Sequence, residues 1–366
     1  MKTSFKIGTV MGIPILIHIT FLIVLFLFAF VFSSAPEPVG FADVQPAILG
    51  YGLSLMLTIL LFTCVLLHEL GHSYFAKKYG VEINNITLFL IGGVSSMEEM
   101  PREPTQEAKM AFAGPFVSFL IGGILFGLNL VIDMMVAGYS TTISYRLVYI
   151  LASINIVLGA FNLIPAFPMD GGRILRAFFA RNMNYIQATR NAANVGKFFA
   201  FLLALVGILS NPWNPWLLLI AVFVYMGASG EERSTAVTRT LENVKVKDVM
   251  SSDVISVSPE MNLEELVQFM FEHKHMGYPV IQHNVLKGIV TFTDVHKVAQ
   301  MDRISTLVSD VMTRDVVTIS PGDNAAEAFK VLNNNNVGRL VVMGDGEVIG
   351  ILSRTDLMHT MTLLSE

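Results

Sequence analysis

Leu67-His68-Glu69-Leu70-Gly71-His72 closes an uncharged, apolar run that covers residues 44–67. A spacing of four places His68 and His72 on one face of a helix. Two imidazoles on one helix face can hold Zn²⁺, and Glu69 between them can act as a base toward the attacking water. Ionisable side chains at the end of an apolar helix are costly to place there and mark functional sites. The motif therefore predicts a metal site rather than two core histidines beside a satisfied glutamate.

A catalytic zinc usually takes three protein ligands and leaves one position for water. Asp170 is the first carboxylate after another apolar run, 147–169, and two prolines just before it can turn the chain inward. We therefore expect Asp170 to be the third ligand, with an Asp that caps the following helix as the alternative. Cys64, one turn before His68, is a competing ligand, although a single cysteine in an apolar helix is more often a core residue.

Asn162 lies near the end of the same apolar run, eight positions before Asp170. Its amide could donate to the oxyanion that develops on a substrate carbonyl. It could equally form a hydrogen bond between helices. Both interpretations stay open.

Charge is distributed unevenly along the 366 residues. Residues 1–230 carry 22 charged side chains, whereas 231–366 carry 31 in 136 positions. Because about 20 apolar residues cross a bilayer as a helix, the first part is typical of a membrane protein. We expect six transmembrane helices, in the stretches 13–33, 44–67, 110–132, 147–169 and two within 188–230, which are separated by a turn at 211–216. The fifth helix must include Lys197, whose side chain would reach toward the headgroups.

The basic residues predict the orientation of these helices. Eleven of the twelve Lys and Arg of residues 1–230 lie in segments on the N-terminal side, and the opposite loops hold only Arg146. The positive-inside rule then places the N-terminus and residues 231–366 in the cytoplasm of a multi-pass cell-membrane protein. A net charge of −5 without a basic run argues against nucleic-acid binding, and one cysteine excludes an intrachain disulfide framework.

Residues 85–97 are apolar but too short to span a membrane. Their β-branched side chains and Gly92-Gly93 predict a short hairpin or re-entrant loop. A loop that lies on the membrane surface is the alternative.

These motifs together resemble the intramembrane site-2 protease family over residues 1–230. The resemblance is carried by His68-Glu69-x-x-His72, Gly92-Gly93, Asn162-x-x-Pro165-x-x-x-x-Asp170-Gly171, Ala113-Gly114-Pro115 and an archaeal-type opening, Gly12-Ile13-Pro14-Ile15. It implies that His68, His72 and Asp170 bind one zinc ion per chain, that Glu69 is the base, and that Asn162 assists. It also implies that the loop with Gly92-Gly93 presents an edge to an extended substrate.

The C-terminal part repeats itself with an offset of 62 residues. Lys247-Asp248-Val249-Met250 recurs as Ser309-Asp310-Val311-Met312, and the stretch 288–294 recurs as 350–356. Units of this size bury little core alone, so two should pack as a pair. We expect a protease domain at 1–230, a linker at 231–245, and two α/β units at 246–300 and 308–366, each with the order strand, helix, strand, strand, helix.

The two units resemble CBS domains, which pair into modules that often bind adenine nucleotides and tend to dimerise. The resemblance implies that Thr291 and Asp294, with Ser353 and Asp356, bind ribose and phosphate. The alternative is that both aspartates merely cap helices. It also implies a homodimer through the CBS pair.

The sequence thus predicts a multi-span α-helical membrane protein with a cytoplasmic tandem CBS pair. The expected function is zinc-dependent cleavage of the transmembrane segment of another protein, within the bilayer, with the CBS pair as a regulatory or nucleotide-sensing module. A transporter or channel with a CBS regulator, and an inactive scaffold, are the alternatives. The transporter leaves the set of His68, His72 and Asp170 unexplained.

Overall fold

The computed structural model describes residues 4–89, 92–97, 101 and 103–364. The chain divides into two compact units, Met1–Glu232 and Arg233–Glu366. The first unit is mainly helical and carries one small sheet. The second unit is an α/β structure.

Seven helices begin in the described part of the first unit: α1 (Thr20–Ser34), α2 (Ala47–Lys78), α3 (Pro104–Met135), α4 (Ile143–Asn162), α5 (Asp170–Phe179), α6 (Tyr185–Leu209) and α7 (Pro215–Leu241). Among these, α2, α3, α4 and α6 are long and apolar enough to cross a membrane. The structure therefore supports four of the six expected spans directly.

The first expected span, 13–33, is not one helix. Ile13–His18 form a strand, and only the 15 residues of α1 are helical. At 1.5 Å per residue α1 is about 22 Å long, whereas a bilayer core is about 30 Å thick. The strand forms because Ile13 and Ile15 alternate with less buried residues and pack against Ile86.

The four strands of the first unit form one sheet in the order β1 (Ser4–Val10), β2 (Ile13–His18), β3 (Ile83–Phe89), β4 (Gly92–Met97). β2 and β3 are parallel, and the long connection that this requires contains α1 and α2. β3 and β4 are antiparallel, with Leu88 opposite Gly93. The hairpin predicted within 85–97 is therefore confirmed.

Small residues let the long helices approach one another closely. A Cβ on Gly71 of α2 would lie 3.0 Å from the carbonyl oxygen of Ala113 in α3. A Cβ on Gly122 of α3 would lie 2.7 Å from Ile156 Cδ1 in α4. Such contacts are typical of helices that pack in a membrane.

The turn predicted at 211–216 lies where α6 ends and α7 begins. Lys197 lies inside α6, as expected. Its Nζ is 2.6 Å from Glu232 Oε2 on α7. An ion pair thus connects α6 to α7 at this lysine, whose side chain stays partly exposed.

The second unit contains two repeats. The first holds α8 (Val246–Val249), α9 (Leu263–His273), β5 (Gly277–Gln282), β6 (Val285–Thr291) and α10 (Phe292–His296); the second holds α11 (Val308–Val311), β7 (Thr318–Ile319), α12 (Ala325–Asn334), β8 (Arg339–Gly344), β9 (Glu347–Ser353) and α13 (Arg354–Leu364). The expected order of strands and helices is present in both. In the first repeat, the opening strand is reduced to a bridge between Val257 and Val280.

Each repeat is completed by the opening segment of the other. Val246, which opens the first repeat, is buried with Leu340 and Leu352 of the second. Val308, which opens the second, is buried in the core around Val290 of the first. Neither repeat therefore has a complete core of its own.

This crossed packing of the two opening segments can be tested by matched substitutions. Val246→Ala should destabilise the second repeat by about 2 kcal/mol, because it removes fully buried methyl groups. Amide hydrogen exchange through local opening should then accelerate about 30-fold in β8 and β9. Val308→Ala is the reciprocal control and should accelerate exchange in β5 and β6 instead. If hydrogen exchange accelerated only in the repeat whose own sequence contains the substituted valine, the crossed packing of the opening segments would be contradicted.

Candidate metal centre

Three buried side chains from two helices converge on one point. His68 and His72 lie on α2, and Asp170 is the first residue of α5. The distance between His68 Nε2 and His72 Nε2 is 3.2 Å, and Asp170 Oδ2 lies 3.3 Å from the first and 3.1 Å from the second. Within the residues that the structure describes, these three form the group of His, Cys, Asp and Glu that could hold a metal ion.

The size of this triangle fits zinc. Ligand atoms about 2.0 Å from a tetrahedral zinc lie roughly 3.3 Å from one another. Gly114 of α3 keeps the space next to the histidines open, since a Cβ there would collide with Nε2 of His68 and His72. The donor set, two imidazole nitrogens and one carboxylate oxygen, also suits zinc.

Hydrogen bonds to α3 orient both imidazole rings. His72 Nδ1 donates to the carbonyl oxygen of Met110 at 2.8 Å, and His68 Nδ1 is 2.9 Å from Ser118 Oγ. A carbonyl oxygen only accepts, so Nδ1 of His72 carries the proton and the lone pair of Nε2 faces the other ligand atoms. A lone pair that faces a second imidazole nitrogen and a carboxylate oxygen at this distance in a buried site is well placed to bind a cation.

Asp170 reaches the histidines because the chain turns tightly before it. The N-cap of α5 is Met169, and no side chain caps this helix. The expected alternative, an Asp that serves as helix cap, is therefore not what the geometry shows. Cβ atoms on Gly171 and Gly172 would collide with the backbone of the preceding turn, at Ile164 and Phe167 respectively.

Glu69 lies beside this group and next to the sheet. It is partly buried on α2, between the two histidines in sequence. A Cβ on Gly93 of β4 would lie only 2.6 Å from Glu69 Cγ. The backbone of β4 therefore runs directly over the glutamate, which places a strand edge next to a carboxylate that can move a proton.

Comparison with known proteins assigns the chain to a family. A zinc metalloprotease of Methanocaldococcus jannaschii is 39% identical over 364 residues, which cover 100% of this chain and 98% of that protein. The model of peptidase family M50 matches residues 56–139 and 128–206. This chain belongs to the M50 peptidases, the site-2 proteases.

Three further matches concern the separate parts of this M50 peptidase. The solved structure of the site-2 protease from Methanocaldococcus jannaschii is 42% identical and covers 63% of this chain and 95% of its own, with a TM-score of 0.45. The CBS domain model matches residues 246–300 and 308–362. A CBS domain-containing protein of Bacillus subtilis is 31% identical over 114 residues, 31% of this chain and 81% of that protein. The two family models and the zinc metalloprotease of Methanocaldococcus jannaschii confirm the resemblances to both families.

The other polar residues singled out near the site of this M50 peptidase make different contacts. Asn162 is the last residue of α4, and its amide donates to the carbonyl oxygen of Leu158 at 3.0 Å. This bond lies within one helix rather than between two. Cys64 is buried in an apolar cluster with Leu61 and Leu151, which favours the core interpretation of this cysteine.

In the CBS pair, the four expected nucleotide residues come together two by two. Asp294 Oδ2 accepts from Thr291 Oγ1 at 2.7 Å and from its backbone N–H at 3.1 Å. Asp356 Oδ2 accepts from Ser353 Oγ at 2.7 Å and from its backbone N–H at 2.8 Å. Both aspartates therefore close helix caps at the ends of β6 and β9, so the capping interpretation describes their contacts here.

Sequence reasoning missed the residues of α3 that complete the site. The carbonyl of Met110 leaves no trace in a sequence, and Ser118 is one small polar residue among many. A signal existed for Gly114, because Ala113-Gly114-Pro115 places two poor helix formers inside an apolar helix. Such a pair indicates that something approaches the backbone closely.

Gly114→Ala tests whether this glycine leaves room for the metal. Its Cβ would push apart the two Nε2 atoms, so the purified protein should retain less than about a tenth of the zinc of the wild type, as measured by mass spectrometry of the metal. Gly123→Ala on the same helix is the control, because nothing lies within 4 Å of a Cβ there. Equal zinc content in the two variants would show that the space at Gly114 is not needed.

Proposed function

We propose that this M50 peptidase cleaves the transmembrane segment of another membrane protein, with zinc held by His68, His72 and Asp170 and with Glu69 as the base. The observation that carries the proposal is the convergence of three buried ligand atoms within 3.3 Å beside a glutamate. A transport function gives no reason for this set of donors. An inactive scaffold gives no reason for Glu69 next to it.

The proposed chemistry is hydrolysis of a peptide bond. Zinc bound at this site would make water more acidic and would polarise the scissile carbonyl. Glu69 accepts a proton from the attacking water as the new C–O bond forms, and passes that proton to the amine nitrogen as the C–N bond breaks. Asn162, at the end of α4, would have to release Leu158 before its amide could donate to the oxyanion.

The edge of β4 is the proposed binding place for the substrate backbone. In the described residues β4 pairs with β3 on one side, and Gly93 of β4 lies against Glu69. A helical substrate hides its carbonyls in its own hydrogen bonds, so it must unwind before it can be cut. An unwound segment added to β4 as a further strand would run past the glutamate.

We also propose that all six expected helices span the membrane, with the N-terminus and CBS pair in the cytoplasm. Ile23 and Phe26 of α1, and Trp216 and Val222 of α7, are more than half exposed, as lipid-facing side chains would be. The apolar parts of α1 and α7 are short, and local thinning of the bilayer can match their lengths.

Arg146 supports this orientation. It is the single basic residue of the proposed outer loops, and it pairs with Asp43 at 2.6 Å and Glu37 at 3.0 Å. The guanidinium lowers the pKa of the Asp43 carboxyl through their hydrogen bond. What supports the orientation is the scarcity of basic residues on the outer side, since the rule counts Lys and Arg and acidic partners contribute little to it.

For the remainder of the chain we propose that residues 231–245, of which 231–241 form the end of α7, link the protease domain to CBS domains at 246–300 and 308–366, which bind an adenine nucleotide and dimerise. Thr291 with Asp294 and Ser353 with Asp356 would bind ribose and phosphate once their caps open. Arg339 adds a cation near Asp356, and its Nη1 donates to the carbonyl oxygen of Gly277 at 2.7 Å. Exposed Phe271 and Leu363 would give a dimer apolar contacts.

Glu69→Gln tests the proposed base. The amide cannot accept the proton, so cleavage should fall by roughly 10²- to 10⁴-fold while the zinc content stays unchanged. Wild type and variant would meet a panel of single-span substrates in liposomes, with products mapped by mass spectrometry.

Glu82→Gln is the matched control, because Glu82 is an exposed glutamate just beyond the same helix. Wild type with bound zinc that cuts no substrate would favour a scaffold. Wild type without zinc would favour transport. Cuts outside the membrane segment would contradict the proposed substrate class.

Asp356→Ala tests nucleotide binding by equilibrium dialysis of the full chain against ATP. Loss of hydrogen bonds from ribose hydroxyls to a carboxylate should weaken ATP binding by about 10-fold or more. Asp310→Ala is the control, since Asp310 also accepts from a backbone N–H, that of Leu307, but lies outside the motif. An equal loss of ATP affinity in both variants would mean that the helix cap, and not a contact between Asp356 and the nucleotide, supports binding.

A further inference from the structure

A buried charge cluster includes Arg176, six residues beyond Asp170 on α5, and takes no part in the proposed chemistry. Arg176 of α5 is 1% exposed, and its Nε donates to Oε1 of Glu107, on α3, at 2.7 Å. Its Nη1 donates to Glu231, on α7, at 2.5 Å. The guanidinium also lies over two aromatic rings, 5.1 Å from the centroid of Phe167 and 4.9 Å from that of Tyr185.

Such a cluster is expensive in this location. Glu107 is 0% exposed, and burial of two charges is offset only when their geometry is excellent. Apolar side chains of similar size would fill the same space without this cost. The cluster therefore calls for a role beyond filling space.

The contacts of Arg176 enclose the turn that carries Asp170. Phe167 lies three residues before Asp170, and Arg176 lies six residues after it, on the same helix. The guanidinium stacks on the ring of Phe167, and its ion pair with Glu107 fixes α5 against α3. Gly227 of α7 closes the turn from another side, since a Cβ there would lie 2.5 Å from Pro168 Cδ.

The same cluster fixes the helix that orients the histidines. Glu107 lies one turn before Met110, whose carbonyl accepts from His72. Ser118, the partner of His68, follows on the same helix. One guanidinium thus connects the helix that carries Asp170 to the helix that orients His68 and His72.

We propose that Arg176 is a positioning residue for the metal centre. It holds Asp170 within bonding distance of the zinc that Asp170 would share with His68 and His72. The inference rests on the proposed metal ligands. Its partners are Glu107 on α3 and Glu231 on α7. Only a planar, forked cation can serve both carboxylates and both rings at once.

Zinc affinity of the full-length protein, measured by competition with a chromogenic chelator, tests the role. Arg176→Lys keeps the charge but loses the fork, and it should weaken zinc binding roughly 10-fold, the lower end of the effect of losing a direct partner of a ligand, because Arg176 acts on Asp170 only through the turn and α3. The visible absorption of bound cobalt(II) should shift, because the carboxylate ligand is displaced. A residue needed only for folding would change neither property in the folded protein.

A double variant, Arg176→Met with Glu107→Gln, guards against misfolding. It leaves no unpaired charge fully buried, since the Glu231 side chain is 33% exposed and can be hydrated. It should fold, by circular dichroism, and bind zinc as weakly as Arg176→Lys. Lys197→Gln is the matched control: it removes an ion pair to the neighbouring Glu232 without touching α5, and it should bind zinc like the wild type.

Folded Arg176 variants with the zinc affinity and cobalt spectrum of the wild type would overturn the positioning role and leave the proposed ligands standing. A loss of zinc affinity in Lys197→Gln as well would also overturn the positioning role, because any lost ion pair to α7 would then be enough to weaken zinc binding. If the wild type itself bound no zinc, both the positioning role and the proposed function would fall. Should the double variant not fold, Arg176→Lys decides alone.

Discussion

Two imidazole nitrogens and a carboxylate oxygen, buried together at 3.1–3.3 Å from one another, impose the main constraint on this fold. In an apolar helix bundle such a group is unfavourable unless a cation lies between its members. α2 supplies two members by the spacing of a single helix turn. α5 supplies the third, and α3 fixes the rings through Met110 and Ser118. The helix contacts around the site follow from the need to keep these atoms together.

Close approach to the site depends on residues without a side chain. Gly71 lets α3 lie against α2, Gly114 leaves space beside the two Nε2 atoms, and Gly93 lets β4 cross over Glu69. A glycine inside a helix costs about 1 kcal/mol relative to alanine. That cost is acceptable only where a methyl group would occupy space that something else needs. Gly123, on the same helix as Gly114 but facing open space, shows that position rather than residue type gives the glycine its role.

The sequence was most informative where chemistry restricts residue type. The spacing of His68 and His72 and the placement of Asp170 after a proline-rich turn predicted the group that the structure brings together. The repeat offset of 62 predicted the CBS pair. It did not predict that Val246 packs in the core of the second repeat and Val308 in that of the first, because either core could accept either valine. The 13–33 stretch failed as one helix because its isoleucines alternate with a period of two, a pattern hidden within a long apolar run. Met110 acts through its backbone and Arg176 through partners on other helices, so neither role could be read from the local sequence.

Charge balance explains how a hydrolytic site can be buried in a membrane protein. If two neutral histidines hold the proposed zinc, the charges of Asp170 and Glu69 would equal that of the ion, so the loaded centre would carry no net charge. The fully buried pair of Glu107 and Arg176 is neutral as well, and the remaining negative charge falls on Glu231, whose side chain is accessible to water. An uncompensated charge in a low-dielectric interior is strongly unfavourable. The arrangement avoids one at the proposed metal centre and at the pair of Glu107 and Arg176, and this allows ionised groups to lie inside the helix bundle.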